Sequence, residues 1–212
     1  MDKYKKGLLI TLEGGEGAGK TTQATVISEF FQKNNRKTLE IREPGSTIVG
    51  EKVREIIREA AEPLSPLTEL LLFSAARKEL IQNIIIPALK DKKVVICDRF
   101  IDSTFAYQHY GRKIPIETVQ QLISLSTQNI KPDMTILLDI DFKLAMKRKD
   151  GSLDYLEKES YEFHENVRSG YKIMATQEPK RWITINATQE QEIISKEIVT
   201  KLKRWIINEN QN

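Results

Sequence analysis

Apolar residues along the chain fall into two alternating patterns: short continuous runs of about five, and longer segments in which they recur every three to four positions. The short runs read as strands buried on both faces, which predicts five of them: Leu8 to Leu12, Thr38 to Arg42, Val94 to Asp98, Met134 to Asp139 and Trp182 to Asn186. The longer segments predict helices near Thr21 to Asn34, Ile48 to Arg58, Leu67 to Ile86, Ile116 to Thr127, Phe142 to Arg148, Lys158 to Thr176 and Glu190 to Ile207. Strand and helix in alternation define βαβ units, hence an α/β protein with a parallel sheet covered on both faces. Neither repeats nor low-complexity linkers interrupt the alternation. In such sheets ligands bind where the carboxyl ends of the strands emerge, so chemistry is expected in the residues just after each strand.

The first strand end is the most specific. After GLLIT comes LEGGEGAGKTT, in which Gly14, four further residues, Gly19, Lys20 and Thr21 satisfy G-x-x-x-x-G-K-[ST] between a strand and a helix. Residues Gly14, Gly15, Glu16, Gly17, Ala18, Gly19, Lys20, Thr21 and Thr22 are therefore expected to wrap the phosphates of a nucleotide. Lys20 reaches the β- and γ-phosphates, and the Thr21 hydroxyl serves Mg²⁺. Glu16 is the anomaly, a carboxylate among amides that should face anions. Asp98 closes the third apolar run, the placement of the acid that orients Mg²⁺ or its waters, and Arg99 follows it. Arg42 ends the second run before EPGST, so Arg42 and Arg99 form a candidate fork for a second phosphate.

Composition adds bounds. A chain of 212 residues with 40% hydrophobic and 30% charged residues is expected to fold as a single domain, 1–212. A net charge of +3 gives no argument for nucleic acid or a membrane surface as partner. The apolar run near the N-terminus is too short for a signal peptide, and nothing approaches the eighteen apolar residues of a membrane span, which predicts a cytoplasmic protein. The single cysteine, Cys97, excludes an internal disulfide and reads as a buried thiol. His109 and His164 lack metal-ligand spacing and read as structural or surface residues.

The segments GGEGAGKTT, REPGST, LLFSAARKEL, PAL, CDRFIDSTFAYQ and KPDMTILLDI, in this order and spacing, resemble the thymidylate kinases of bacterial type, a P-loop nucleoside monophosphate kinase family, from Leu8 to about residue 205. The resemblance implies a three-layer sandwich with a five-stranded parallel sheet and a short lid at about 147–157, a homodimer, and transfer of the γ-phosphoryl of ATP to dTMP with Mg²⁺. It further implies that Arg42 and Arg99 hold the acceptor phosphate, that Phe73 stacks on thymine and that Arg77 hydrogen-bonds the base carbonyl. In the same way Pro44 meets the thymine methyl, Thr104 and Gln108 touch the base edge, Tyr107 crowds the sugar 2′ position and Arg54 lines the pocket. Glu16 would contact the 3′-hydroxyl of dTMP. By pattern alone, Phe73 in LLLF reads as a core aromatic.

The lid departs from the family. Its segment MKRKDGSLDYLEKES has Tyr155 after Asp154 where arginine is frequent, which leaves Lys147, Arg148 and Lys149 as cations for the transferred phosphoryl. Arg148 is taken as the catalytic one, beside Lys20, Arg99 and Asp98. Two other readings stay open: a different nucleoside monophosphate kinase on this scaffold, and a nucleotide-operated switch or DNA-associated ATPase. Against the last stand the missing N-K-x-D motif and the nearly balanced charge.

Overall fold

A computed structural model describes residues 6–60, 62–148 and 156–209. Most of the expected lid, including Lys149, Asp154 and Tyr155, lies outside the described residues. The five apolar runs form β1 (Leu8–Glu13), β2 (Thr38–Arg42), β3 (Val94–Asp98), β4 (Met134–Asp139) and β5 (Trp182–Asn186). All pair in parallel, in the order β2-β3-β1-β4-β5.

The period-two geometry of a strand divides the core into two layers. From β1, Leu8, Ile10 and Leu12 pack toward Ile27 and Phe31 of α1 (Lys20–Lys33) and Ile194, Ile198 and Leu202 of α9 (Gln191–Glu209). Leu9, with Val95 and Cys97 of β3, packs on the other face against Leu70 and Leu80 of α3 (Pro66–Leu80) and Val119 and Ile123 of α6 (Ile116–Thr127). The sandwich α/β class expected from the sequence is thus the observed one.

Local chemistry sets the helix boundaries. Thr47 caps α2 (Ile48–Glu59), Ser65 with Pro66 starts α3, Asp141 caps α7 (Phe142–Met146), and Ser160 caps α8 (Tyr161–Gln177). The helix expected as one piece over Leu67 to Ile86 instead passes from α3 through a π-helical turn, Ile81–Ile85, into α4 (Ile86–Lys90). Pro87 supplies the reason: it has no N–H, and its ring would clash with a carbonyl one regular turn earlier, so the helix widens ahead of it. A second departure matters more. Residues after β3 form α5 (Ile101–Thr104) and a π-helical segment, Phe105–Gly111, where no helix was expected.

The register aligns Leu12 with Asp98 and Arg42 with Asp98. The carboxyl ends of β1, β2 and β3 therefore open at one rim. The chain leaves β1 for α1 and β2 there, while β4 lies on the other side of β1, so the rim is where the strand order reverses.

Candidate active site

The phosphate loop runs from this rim into α1. Gly14 and Gly17 take φ of 136° and 72°, and a Cβ on either would stand 2.5 Å from the Leu138 carbonyl oxygen or 2.6 Å from that of Ala145. Only glycine meets both demands. α1 then begins after Gly19 with no side-chain cap and no acid in its first turn, so its amides and positive end serve an anion. Lys20 is buried; its Nζ donates to the carbonyls of Gly15 at 2.8 Å and Gly14 at 3.3 Å, which curls it back over the loop. Burial and then the Arg99 charge lower its pKa, while Glu16, Asp98 and Glu13 oppose that.

Beside the loop, the Thr21 hydroxyl donates to Asp98 Oδ2 at 2.9 Å. Two hard oxygen donors at a phosphate loop, one anionic, fit a magnesium ion that takes its remaining ligands from water and phosphate. Among the described residues there is no group of three or more His, Cys, Asp or Glu side chains that could hold a metal ion.

Arg99 sits in left-handed backbone, φ 70°, directly after β3, and its amide donates to the Leu12 carbonyl. That turn aims the guanidinium back across the loop: Nη2 donates to Glu16 Oε1 at 2.5 Å, Nη1 to Ser103 Oγ at 3.3 Å, and the cation lies 5.1 Å from the centre of the Tyr107 ring. The anomalous acid of the loop is thus neutralised by Arg99. The expected fork is looser than the sequence suggested. Arg42 is exposed and held by both oxygens of Glu51, at 3.0 and 2.9 Å, though it lines the same open cleft as Lys20, Thr21, Asp98 and Arg99.

One residue beneath this arrangement escaped the sequence reading. Glu13, the last residue of β1, is 0% exposed, and its carboxylate accepts from the Phe100 amide at 2.8 Å, Ser103 Oγ at 2.5 Å and the Tyr171 hydroxyl at 3.1 Å. It therefore anchors the turn that carries Arg99. A lone charge ending a fully buried strand was the available signal. Burial, helped by the nearby Asp102 charge, pushes its pKa up to about 8, against the Ser103, Arg99 and Phe100 interactions that hold it down. Between its ordinary value near 4.5 and about 8 the folded chain keeps a proton that the unfolded chain releases. The stabilising contribution is accordingly complete below the lower value and is lost as pH rises toward the upper one. Thermal melts across that window are expected to show the native chain losing stability relative to Glu13→Gln as pH rises. Parallel pH profiles for the two proteins would refute the assignment.

A second cavity opens beyond Arg99. Glu16, Pro44, Arg54, Phe73, Arg77, Arg99, Thr104, Tyr107 and Gln108 all contribute to its wall, so the residues expected to hold the acceptor, Arg42 excepted, share one cavity. Phe73 is half-buried, packed on Val53, Ile57 and Ala76 from below with a face left to the cavity, so it is not simply a core aromatic. Arg77 is 2% exposed, pairs with Glu43, and donates through Nη2 to Thr104 Oγ1 at 2.7 Å; its Nε and Nη1 have no hydrogen-bond partner among the described residues. Those donors suit a carbonyl in the cavity. Arg54 Nη1 donates to the Pro44 carbonyl at 3.3 Å. Burial pushes the Tyr107 hydroxyl up to about 12, so it stays a neutral wall.

In this structure the Arg148 guanidinium donates to the carbonyls of Ala187 at 2.6 Å and Thr188 at 2.8 Å, after β5, and among the described residues it makes no hydrogen bond to the phosphate loop. The histidines have structural partners: His109 Nδ1 lies 2.8 Å from the Ile114 carbonyl, and His164 stacks on Phe142 at 3.6 Å.

A nucleotide-phosphate loop, a strand-end acid beside its threonine and a second cavity across one arginine describe a phosphotransferase in which donor and acceptor meet in a single cleft, the P-loop kinase class. Comparison with known proteins narrows the class. The family model for thymidylate kinase matches residues 12–198. A thymidylate kinase of Thermoanaerobacter sp. (strain X514) is 41% identical over 202 residues, 95% of this chain and 100% of that protein. One from Dehalococcoides mccartyi (strain ATCC BAA-2100) is 43% identical over 202 residues, 94% of this chain and 95% of that protein. The crystal structure of thymidylate kinase from Ehrlichia chaffeensis superimposes with a TM-score of 0.77 at 35% identity, covering 92% of this chain and 98% of that one. The chain belongs to the thymidylate kinase family. Its reaction is ATP-dependent phosphorylation of dTMP to dTDP.

Proposed function

We propose that the cleft divides this reaction at Arg99 and Glu16, with ATP phosphates on the side of the loop and dTMP on the side of Phe73. The observation that carries the reading is the Arg99 to Glu16 pair at 2.5 Å, which stands between the loop and the second cavity and lines both. Gly14 to Thr22 cradle the donor, Lys20 and Arg99 stabilise charge on the transferring group, and Glu16, Arg42 and Arg54 serve the acceptor's sugar and phosphate. Phe73, Arg77, Pro44, Thr104, Tyr107 and Gln108 surround its base and ribose. Thr21 and Asp98, directly or through waters, would hold Mg²⁺, which would supply neutralisation of the phosphate charge. Catalysis here is chiefly positioning and electrostatics, so no side chain need act as a strong base.

The same reading gives the chain a single domain and a homodimeric assembly. Exposed apolar side chains support the second point: Ile48, 87% exposed, and Ile56 on α2, Leu67 and Leu71 on α3, and Leu125 on α6. The reading also makes the enzyme cytoplasmic, with ATP and dTMP as its partners; no helix among the described residues is long and apolar enough to cross a membrane.

The acceptor panel tests the reading. With ATP and Mg²⁺, ADP formation is expected to be fastest with dTMP, slower with dUMP and slower again with UMP or dCMP. One buried methyl is worth about 1 to 3 kcal/mol, whereas a mismatched polar edge costs more. AMP, GMP or CMP as best acceptor would overturn the assignment of the cavity.

A further inference from the structure

Gln108 can present either end of its amide to the cavity, and the two ends have opposite chemistry. Its orientation is fixed from behind. Gln108 is 1% exposed, on the π-helical segment, and its Nε2 donates to Glu69 Oε1 at 2.8 Å. Glu69, on the first turn of α3, is 0% exposed, and Arg112 grips it through Nη2 at 3.0 Å and Nε at 3.3 Å. Arg112 is held in turn by Glu159 at 2.6 Å and lies over the Phe163 ring at 4.7 Å. A carboxylate so paired only accepts hydrogen bonds. A flipped Gln108 would set its carbonyl lone pairs against those of Glu69 in a buried place. The NH₂ is therefore committed to Glu69, and the carbonyl oxygen, which has no hydrogen-bond partner among the described residues, is the end left for a ligand.

We propose that Glu69 is a positioning residue for base selectivity: by fixing Gln108 with its carbonyl toward the cavity, it selects a pyrimidine that offers an N–H on its pairing edge over one that offers a bare ring nitrogen. Thymine and uracil carry such an N–H at N3, and cytosine carries an acceptor there. The inference rests on the reading of this cavity as the nucleobase site.

Glu69→Gln gives a sharp test, because Arg112 continues to demand the acceptor end of the new amide. The NH₂ of that amide then faces Gln108 and reverses it. In Glu69→Gln, kcat/KM for dTMP is expected to fall about tenfold while that for dCMP rises, so their ratio drops by well over tenfold. Arg112→Lys, which keeps the charge but loses the fork, is expected to keep the ratio within about threefold. In a Gln108→Met background, Glu69→Gln is expected to leave the ratio unchanged. Thermal melting separates folding from selectivity. If Glu69→Gln does not fold, Glu69→Asp, whose shorter carboxylate withdraws from Nε2, is expected to lower the ratio in the same direction. Equal losses for dTMP and dCMP in the folded variant would show a merely structural role and overturn the proposal. A native enzyme that does not prefer dTMP to dCMP would instead overturn the cavity reading itself.

Discussion

Lys20→Ala is expected to lower kcat by about 100- to 1,000-fold, the loss that follows removal of one preorganised charge donor from a transferring group. Lys20 is buried and curled over the loop by two carbonyl contacts, so the alanine variant leaves the glycine backbone and the N-terminus of α1 intact. ATP binding should persist through those amides, and KM for dTMP should change by less than about threefold. Single-turnover measurement of dTDP formation at saturating substrates isolates the step. Phe73→Ala is the contrasting case: with its ring half-buried at the cavity wall, it is expected to raise KM for dTMP about tenfold with a smaller change in kcat. A Lys20→Ala enzyme with undiminished kcat and weakened ATP binding alone would contradict the role given to Lys20.

Arg99→Ala is expected to do both kinds of damage, lowering kcat/KM for dTMP by about 1,000-fold. The guanidinium stands between Glu16, Ser103 and the Tyr107 ring, so its loss removes a charge-assisted contact to the acceptor and also takes a positive charge away from Glu16 beside the donor phosphates. Because arginine and alanine both carry a Cβ, the left-handed backbone at this position is equally strained in each, and the change reports the guanidinium itself. Arg99→Lys should recover only part of the loss, since an ammonium cannot reproduce the fork. Steady-state kinetics with dTMP varied, then with ATP varied, distinguish the sides. A loss confined to ATP affinity would contradict a guanidinium shared between two anions.

The three central strands, β1, β3 and β4, were legible because a parallel sheet buries both faces and leaves nearly continuous apolar runs, while the edge strands β2 and β5 are partly exposed and show instead as short β-branched and alternating stretches; all five fall where they were expected, with Glu13 added to β1. The phosphate loop was legible because its glycine spacing answers a backbone requirement. Helix α5 and the π-helical segment after it were not, since Asp102, Thr104 and Gln108 are buried polar residues with internal partners and break the amphipathic period. The same blindness hid Glu13, Glu43 and Glu69. Each is a buried carboxylate whose partner lies far away in sequence, Phe100 and Ser103 for Glu13, Arg77 for Glu43 and Arg112 for Glu69, so only the folded chain brings them together. The partners of Arg148 were hidden in the same way: a cation near a lid suggests a phosphate, and the sequence does not reveal that the Ala187 and Thr188 carbonyls after β5 accept from it.

The central claim is that Glu16, though part of the phosphate loop, belongs to the acceptor side of the cleft. Glu16→Gln keeps the shape of the side chain and removes its charge, so it should leave ATP binding nearly unchanged and lower kcat/KM for dTMP about tenfold, the difference between a charged and a neutral hydrogen-bond acceptor. The direct measurement is a cycle of four specificity constants, native enzyme and Glu16→Gln, each with dTMP and with the analogue lacking the 3′-hydroxyl. Removing the hydroxyl and removing the charge should not add, because both break the same contact. Full additivity of the two losses would contradict that contact and leave neutralisation of the loop by Arg99 as all that Glu16 does.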